Sequence, residues 1–176
     1  MDLDRRQLVV ALLASTWGGG AARAESEPDL SQYLPGAKRV GQGQLTWLGL
    51  PIYLAELWAV DGKYQADRAF ILSLTYFRAI KQAQIVNASL EQMQKLGSAV
   101  EQHPDWGEKL STVFQDVGES DRISGLFYPG DHAQFFFNDR RTGHLDALLA
   151  DNLAAIWLSP KSSEPALRKA LLGLTE

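Results

Sequence analysis

The stretch Gly41 to Trp58, GQGQLTWLGLPIYLAELW, constrains the fold more than any other part of the chain. It is dense in large apolar residues, and its only formal charge is Glu56. At the two-residue period of a strand, Ile52, Leu54 and Trp58 share one face, and Tyr53, Ala55 and Leu57 the other. A strand apolar on both faces is covered on both sides, or lines a cavity on one of them. Gly49-Leu50-Pro51 interrupts the run, because proline has no ladder N–H to give and glycine accepts positive φ. The stretch therefore predicts two strands around a tight turn, against which later elements pack.

Further along, Asp61-Gly62-Lys63 reads as a turn. Ala69 to Ile80 alternates as a strand, with Phe70, Leu72, Leu74, Tyr76 and Arg78 on one face. From Lys81 the period lengthens: Ile85, Val86, Ser89, Leu90, Met93 and Leu96 form the stripe of a helix that Gly97 ends, without a capping side chain at its start. Pro104-Asp105 opens a second helix carrying Leu110, Val113, Phe114 and Val117. Asp121 to Tyr128 and Ala133 to Asn138 read as strands joined by Pro129-Gly130-Asp131, and Asn138 to Gly143 as a closing turn. Asp146 to Leu158 is helical by spacing, with Leu149, Leu153, Ile156 and Trp157 inward. Ser163-Glu164-Pro165 opens a last helix, with Ser163 as its cap, and Leu167, Ala170 and Leu171 face the core. Strands and helices in separate runs predict the α+β class: an antiparallel sheet with a layer of helices on one face, in a single domain over residues 40–176.

The amino terminus has a different character. Arg5-Arg6 precedes the apolar run Leu8 to Trp17, and Ala22-Arg23-Ala24 supplies an A-x-A site, so residues 1–24 predict an export signal cleaved after Ala24. The run is too short to span a bilayer about 30 Å thick, and no later segment predicts a membrane helix. The expected product is periplasmic, by general secretion or, given the paired arginines, the twin-arginine route. Residues 25–39 read as a mobile polar lead-in. The leader holds three arginines and two aspartates, so its loss moves the net charge from −4 to −5. An acidic domain without a Lys/Arg cluster excludes nucleic acid as a natural partner.

Chemical motifs are sparse. The chain has no cysteine, which removes disulfides and thiolate chemistry, and only three scattered histidines, His103, His132 and His144. No metal and no cofactor is expected. Nucleophile-elbow, P-loop, H-E-x-x-H and dinucleotide signatures are absent. Gly41-Gln42-Gly43 precedes a strand instead of opening a helix, which argues against a phosphate loop. Asp116 and Glu119 read as a solvated face. Gln44, Tyr53, Tyr76 and Arg78 stand out as polar groups in apolar strands. Two readings are open for them. Either arginine and tyrosines hold the polar head of an apolar molecule in a pocket, or Arg78 ends its strand at the rim and the tyrosines are core.

Three segments together carry a family resemblance: GQGQLTWLGLPIYLAELW, LSLTYFRAI leading into IVNASLEQMQKLG, and FFFNDRRTGHLDALLADNLAAIWLSPKSSEPALRKALLG. They resemble the bacterial exported branch of the chalcone isomerase-like family, over Val40 to Gly173. The resemblance implies a large antiparallel sheet, a helix layer and a ligand cleft between them. Plant members close a flavanone ring by intramolecular oxa-Michael addition, while plastid relatives bind fatty acids without catalysis. The enzyme's arginine falls at Gln44 (or Leu45), its strand threonine at Tyr53, and its helix tyrosine and asparagine at Ile85 and Gln92. None of the four carries over.

That reaction needs a cation or strong donors for a phenolate and a developing enolate. The resemblance therefore implies a non-catalytic relative that binds a small apolar or amphipathic, fatty-acid-like molecule. Two alternatives stand beside it. One is an isomerase with a divergent site built on Tyr53, Tyr76 and Arg78; the other is an envelope interaction protein with a filled core and Trp47 or Trp106 exposed.

Overall fold

The computed structural model describes residues 30–174. The leader, its cleavage site and the lead-in as far as Asp29 lie outside the described residues.

The hairpin forms with longer arms and an earlier turn than expected: Leu50 and Pro51 begin the second strand instead of interrupting the run. β1 (Ala37–Trp47) pairs antiparallel with β2 (Leu50–Val60), and Trp47 faces Leu50 across the two-residue turn Leu48-Gly49. Both turn residues have positive φ, 49° and 77°, the geometry of a two-residue hairpin loop with the twist of the strands. β3 (Phe70–Tyr76), β4 (Arg122–Tyr128) and β5 (His132–Phe137) follow in order. β6 (Arg140–Asp146) completes an antiparallel meander in which each strand lies beside its sequence neighbour. The turn expected over Asn138 to Gly143 is therefore wrong beyond Asp139. Asn138-Asp139 alone makes the turn, with φ of 45° and 66°. RRTGHLD then runs as an edge strand whose charges face water and whose one buried side chain is Leu145.

Four helices cover one face: α1 (Gln82–Lys95), α2 (Trp106–Val113), α3 (Ala147–Leu158) and α4 (Pro165–Leu171). Their apolar stripes meet Ala55, Leu57, Leu72, Leu74 and Phe135 of the sheet in the main core. At the start of α1 the Gln84 Oε1 accepts the Lys81 N–H at 3.1 Å, and Asp116, from elsewhere in the chain, completes the cap. One oxygen of Asp116 accepts the Gln82 N–H at 2.8 Å and the other holds Lys81 Nζ at 2.8 Å. At its far end Ser98 N–H donates to Met93 O and Gly97 N–H to Gln94 O, a Schellman closure. Asp146 caps α3 by accepting the Leu149 N–H and also binds Lys109 of α2. The cap expected of Ser163 is not made. Glu164 is the N-cap residue without a side-chain bond, and Ser163 Oγ donates to Gln92 Oε1 at 2.7 Å.

These carboxylates set an acid-side expectation. The Gln82 N–H and then Lys81 hold the Asp116 pKa below its ordinary 3.8; Lys109 and then the Leu149 N–H do the same for Asp146. A carboxyl whose folded pKa is depressed contributes stability above its unfolded value, and that contribution fades as pH falls through the folded value. The melting-temperature gap between wild type and the Asp116→Asn, Asp146→Asn double variant should therefore shrink as pH drops below 3.8. A gap constant with pH would contradict this.

α4 lies on the first strand, and Gly41 explains how it can. A Cβ there would stand 2.1 Å from the Ala170 carbonyl oxygen and 2.6 Å from that of Leu171. The glycine motif of β1 is thus a slot for a helix backbone.

The opposite face of the sheet is also covered. Leu30–Gln32 forms a short 3-10 turn, and Leu30, Leu34 and Ala37 pack on Trp58, Ile71, Leu126 and Phe136 in a second buried cluster. Tyr33 tilts onto Phe136 at 4.1 Å and its hydroxyl donates to Asp139. From Leu30 onward the segment expected to be mobile is instead a strap across the sheet. Its apolar residues recur at Leu30, Tyr33, Leu34 and Ala37, a one-sided spacing that the surrounding polar residues and prolines mask. Ser73 and Ser124, paired across β3 and β4, satisfy each other at 2.9 Å beneath this face.

Candidate functional site

Between sheet and helices lies a cavity of about 230 Å³. That exceeds a ~150 Å³ engineered cavity of the kind that stays dry and accepts benzene. Its floor is apolar: Leu72 and Leu74 of β3, Ile123 and Phe127 of β4, Phe135 of β5 and Phe114 after α2. Its mouth is marked by exposed lining residues, Gln84 and Ala88 of α1 with Ser163 and Glu164 before α4.

Tyr53 and Tyr76 are brought together here. They pair across β2 and β3, their rings 5.7 Å apart edge to face, and both line the cavity. Ile52, on the opposite face by simple alternation, also lines it. The register slips one residue between Leu45 and Thr46, and the bulge at Ile52 turns two successive side chains toward the same space.

The electrostatics follow from burial. Tyr53 Oη accepts the indole N–H of Trp157 at 3.0 Å. Burial pushes its phenol up to about 12; the Trp157 hydrogen bond works against that rise and the charge of Glu164 adds to it. Tyr76 is 3% exposed, and burial raises its phenol further, with Tyr53 adding to the shift. Among the described residues its hydroxyl meets no protein partner, and the two hydroxyls do not bond each other. Near neutral pH both are protonated donors.

The other two expected residues are elsewhere. Gln44 is exposed and its amide donates to Thr46 Oγ1, because the register that pairs Leu45 with Tyr53 gives the cavity face to Leu45. Arg78 is exposed and lines nothing, because β3 stops at Tyr76. There the Phe77 N–H turns to Ile52 O. Ile85 and Gln92 do line the cavity. Trp157, expected only as core, is also the hydrogen-bond partner that orients Tyr53; contact across 104 residues leaves no local signal. Ser89, expected only as part of the α1 stripe, and Gln84, outside that stripe, are further lining groups.

No lysine, arginine or histidine lines the cavity, and Glu164 is its one charged lining residue among those described. No group of His, Asp and Glu there could hold a metal. His103 stacks on Trp106 at 4.5 Å, and Trp106 is core, so it offers no partner surface. Trp47 is 65% exposed at the hairpin tip beside Leu48 and Leu50. No helix among the described residues is long and apolar enough to cross a membrane.

No family model and no curated protein matches the chain. Among solved structures it is similar to the crystal structure of a fatty-acid binding protein of Arabidopsis thaliana, with a TM-score of 0.63 and 12% identity. That match covers 78% of this chain and 87% of the other. At such identity the likeness is one of fold. With a six-stranded antiparallel sheet and four α-helices on one face among the described residues, the chain has the α+β fold of the chalcone isomerase-like proteins.

Proposed function

We propose that this protein binds a small apolar or amphipathic molecule between sheet and helices and does not transform it. One observation carries the reading: a preformed cavity with an apolar floor and the paired tyrosines Tyr53 and Tyr76 in its lining. The Arabidopsis protein of like fold is a fatty-acid binding protein, which supports a guest of lipid character.

The isomerase alternative fares worse. Stabilising a phenolate and an enolate calls for a cation or several strong donors. Arg78, the cation on which that alternative leaned, lies off the cavity, and Glu164 brings the wrong sign. A tyrosine held near 12 is a poor base at neutral pH. The interaction-protein alternative called for a filled interior, and the cavity counts against it. Membership of an exported, periplasmic branch rests on the leader's composition and belongs to the same proposal.

The test uses protein recovered from the periplasm, expected to begin at Glu25. It should take up a neutral solvatochromic dye with saturable fluorescence. Ala88→Trp, at an exposed lining position of α1, fills the mouth without burying a polar group. It should weaken uptake more than about tenfold and leave the melting temperature within about 2 °C. Uptake equal in wild type and variant, or absent in wild type, would defeat the proposal.

A further inference from the structure

Whatever enters this cavity meets an unusual balance of charge. Its lining has the two tyrosine donors, the amides of Gln84 and Gln92 and, among the described residues, no cation, while its one charge, Glu164, is negative and stands at the mouth. The field of Glu164 reaches the Tyr53 hydroxyl. The cations nearest in sequence to lining residues are committed or outside: Arg122 pairs with Asp139, Arg168 Nε donates to Leu158 O, and Lys161 is exposed and off the lining. Lys81 is held by Asp116 at 2.8 Å, and Arg78 is exposed and off the lining.

The tyrosines define what the deep end recognises. Tyr53 oxygen already accepts from Trp157, so its remaining capacity is chiefly its O–H proton. Tyr76, 3% exposed, offers an O–H with no protein acceptor. A donor that a guest seals from water without an acceptor is costly, so the site favours a guest that brings one. A carboxylate brings one too, but it must leave water, pass Glu164 and sit where no positive group compensates it.

We propose that the cavity selects an uncharged apolar molecule bearing one hydrogen-bond acceptor, of the ketone, ester or quinone class, whose oxygen accepts from Tyr53 and Tyr76, and that it discriminates against carboxylates. This rests on the ligand-binding reading above and specifies its head group. The selection differs from what a fatty-acid site requires, where an anion is matched by a cation.

Three probes with chains of equal or near-equal length separate the contributions: methyl undecyl ketone, laurate and dodecane, each displacing a neutral dye at about pH 8, where laurate is ionised. The ketone should bind at least about tenfold tighter than laurate. Tyr76→Phe should weaken the ketone about fivefold and leave dodecane unchanged, the loss expected for one neutral hydrogen bond. Arg78→Ala should change none of the three. Laurate binding as tightly as the ketone overturns the inference, and so does a ketone indifferent to Tyr76→Phe. In both cases the cavity still binds chains and the reading beneath survives. If no chain and no dye enters the wild type, both fall together.

Discussion

Gly41→Ala should unfold this protein more readily than any other single-methyl addition to β1, by about 3 kcal/mol, the upper end of the cost of overpacking. The reason is contact with backbone: the new carbon would meet two carbonyl oxygens of α4 at 2.1 and 2.6 Å, and neither can rotate aside. Relief requires moving the helix, which lifts Leu167 and Leu171 from the core and displaces a wall of the cavity. At about 2–4 °C per kcal/mol for a chain of this size, the melting temperature should fall by roughly 6–12 °C. Gly49→Ala is the control. Nothing lies within 4 Å of its added carbon, and only its φ of 77° resists the change, so the cost should be nearer 1 kcal/mol. Urea midpoints that rank the two variants the other way would show that α4 does not bear on β1 in solution.

The second large effect is expected at Arg39→Met. Glu56 is 3% exposed, and Arg39 Nη1 meets its carboxylate at 3.1 Å. Breaking a buried pair from one side costs ~3–5 kcal/mol, because the remaining charge is stranded. The Arg39 side chain is 32% exposed, which lowers the figure here, to about 2–3 kcal/mol. Arg39 also lies 5.9 Å from the Trp58 ring, a smaller contribution lost with it. Glu56→Gln should cost less, since the arginine it leaves behind can turn to water. Equal losses in the two variants would mean that the carboxylate is not stranded.

What could be read in advance follows from range. The hairpin, the helix stripes and the α+β class are written in local periodicity, and local periodicity survives folding. Register is not local. Gln44 and Leu45 are adjacent, and which of them faces the cavity depends on the bulge at Ile52, a property of the pairing. Arg78 has the right parity for the face of Tyr76 but stands beyond the end of its strand, where the backbone turns to other partners. β6 leaves little trace in the sequence because an edge strand facing water needs no apolar alternation, and the strap because four apolar side chains sit among prolines and polar residues. The glycines of β1 looked like a loop motif; a helix lying on them, more than a hundred residues later in sequence, is what they accommodate.

That arrangement has a temporal consequence. A polypeptide made amino end first can add each strand next to the one already in place, with short reach at every step. The ring closes only at the finish, when the final helix returns to the opening strand. A chain cut before Ser163 would lack the three lining residues that the last segment supplies, Ser163, Glu164 and Leu167, and the cavity would stand open on that side.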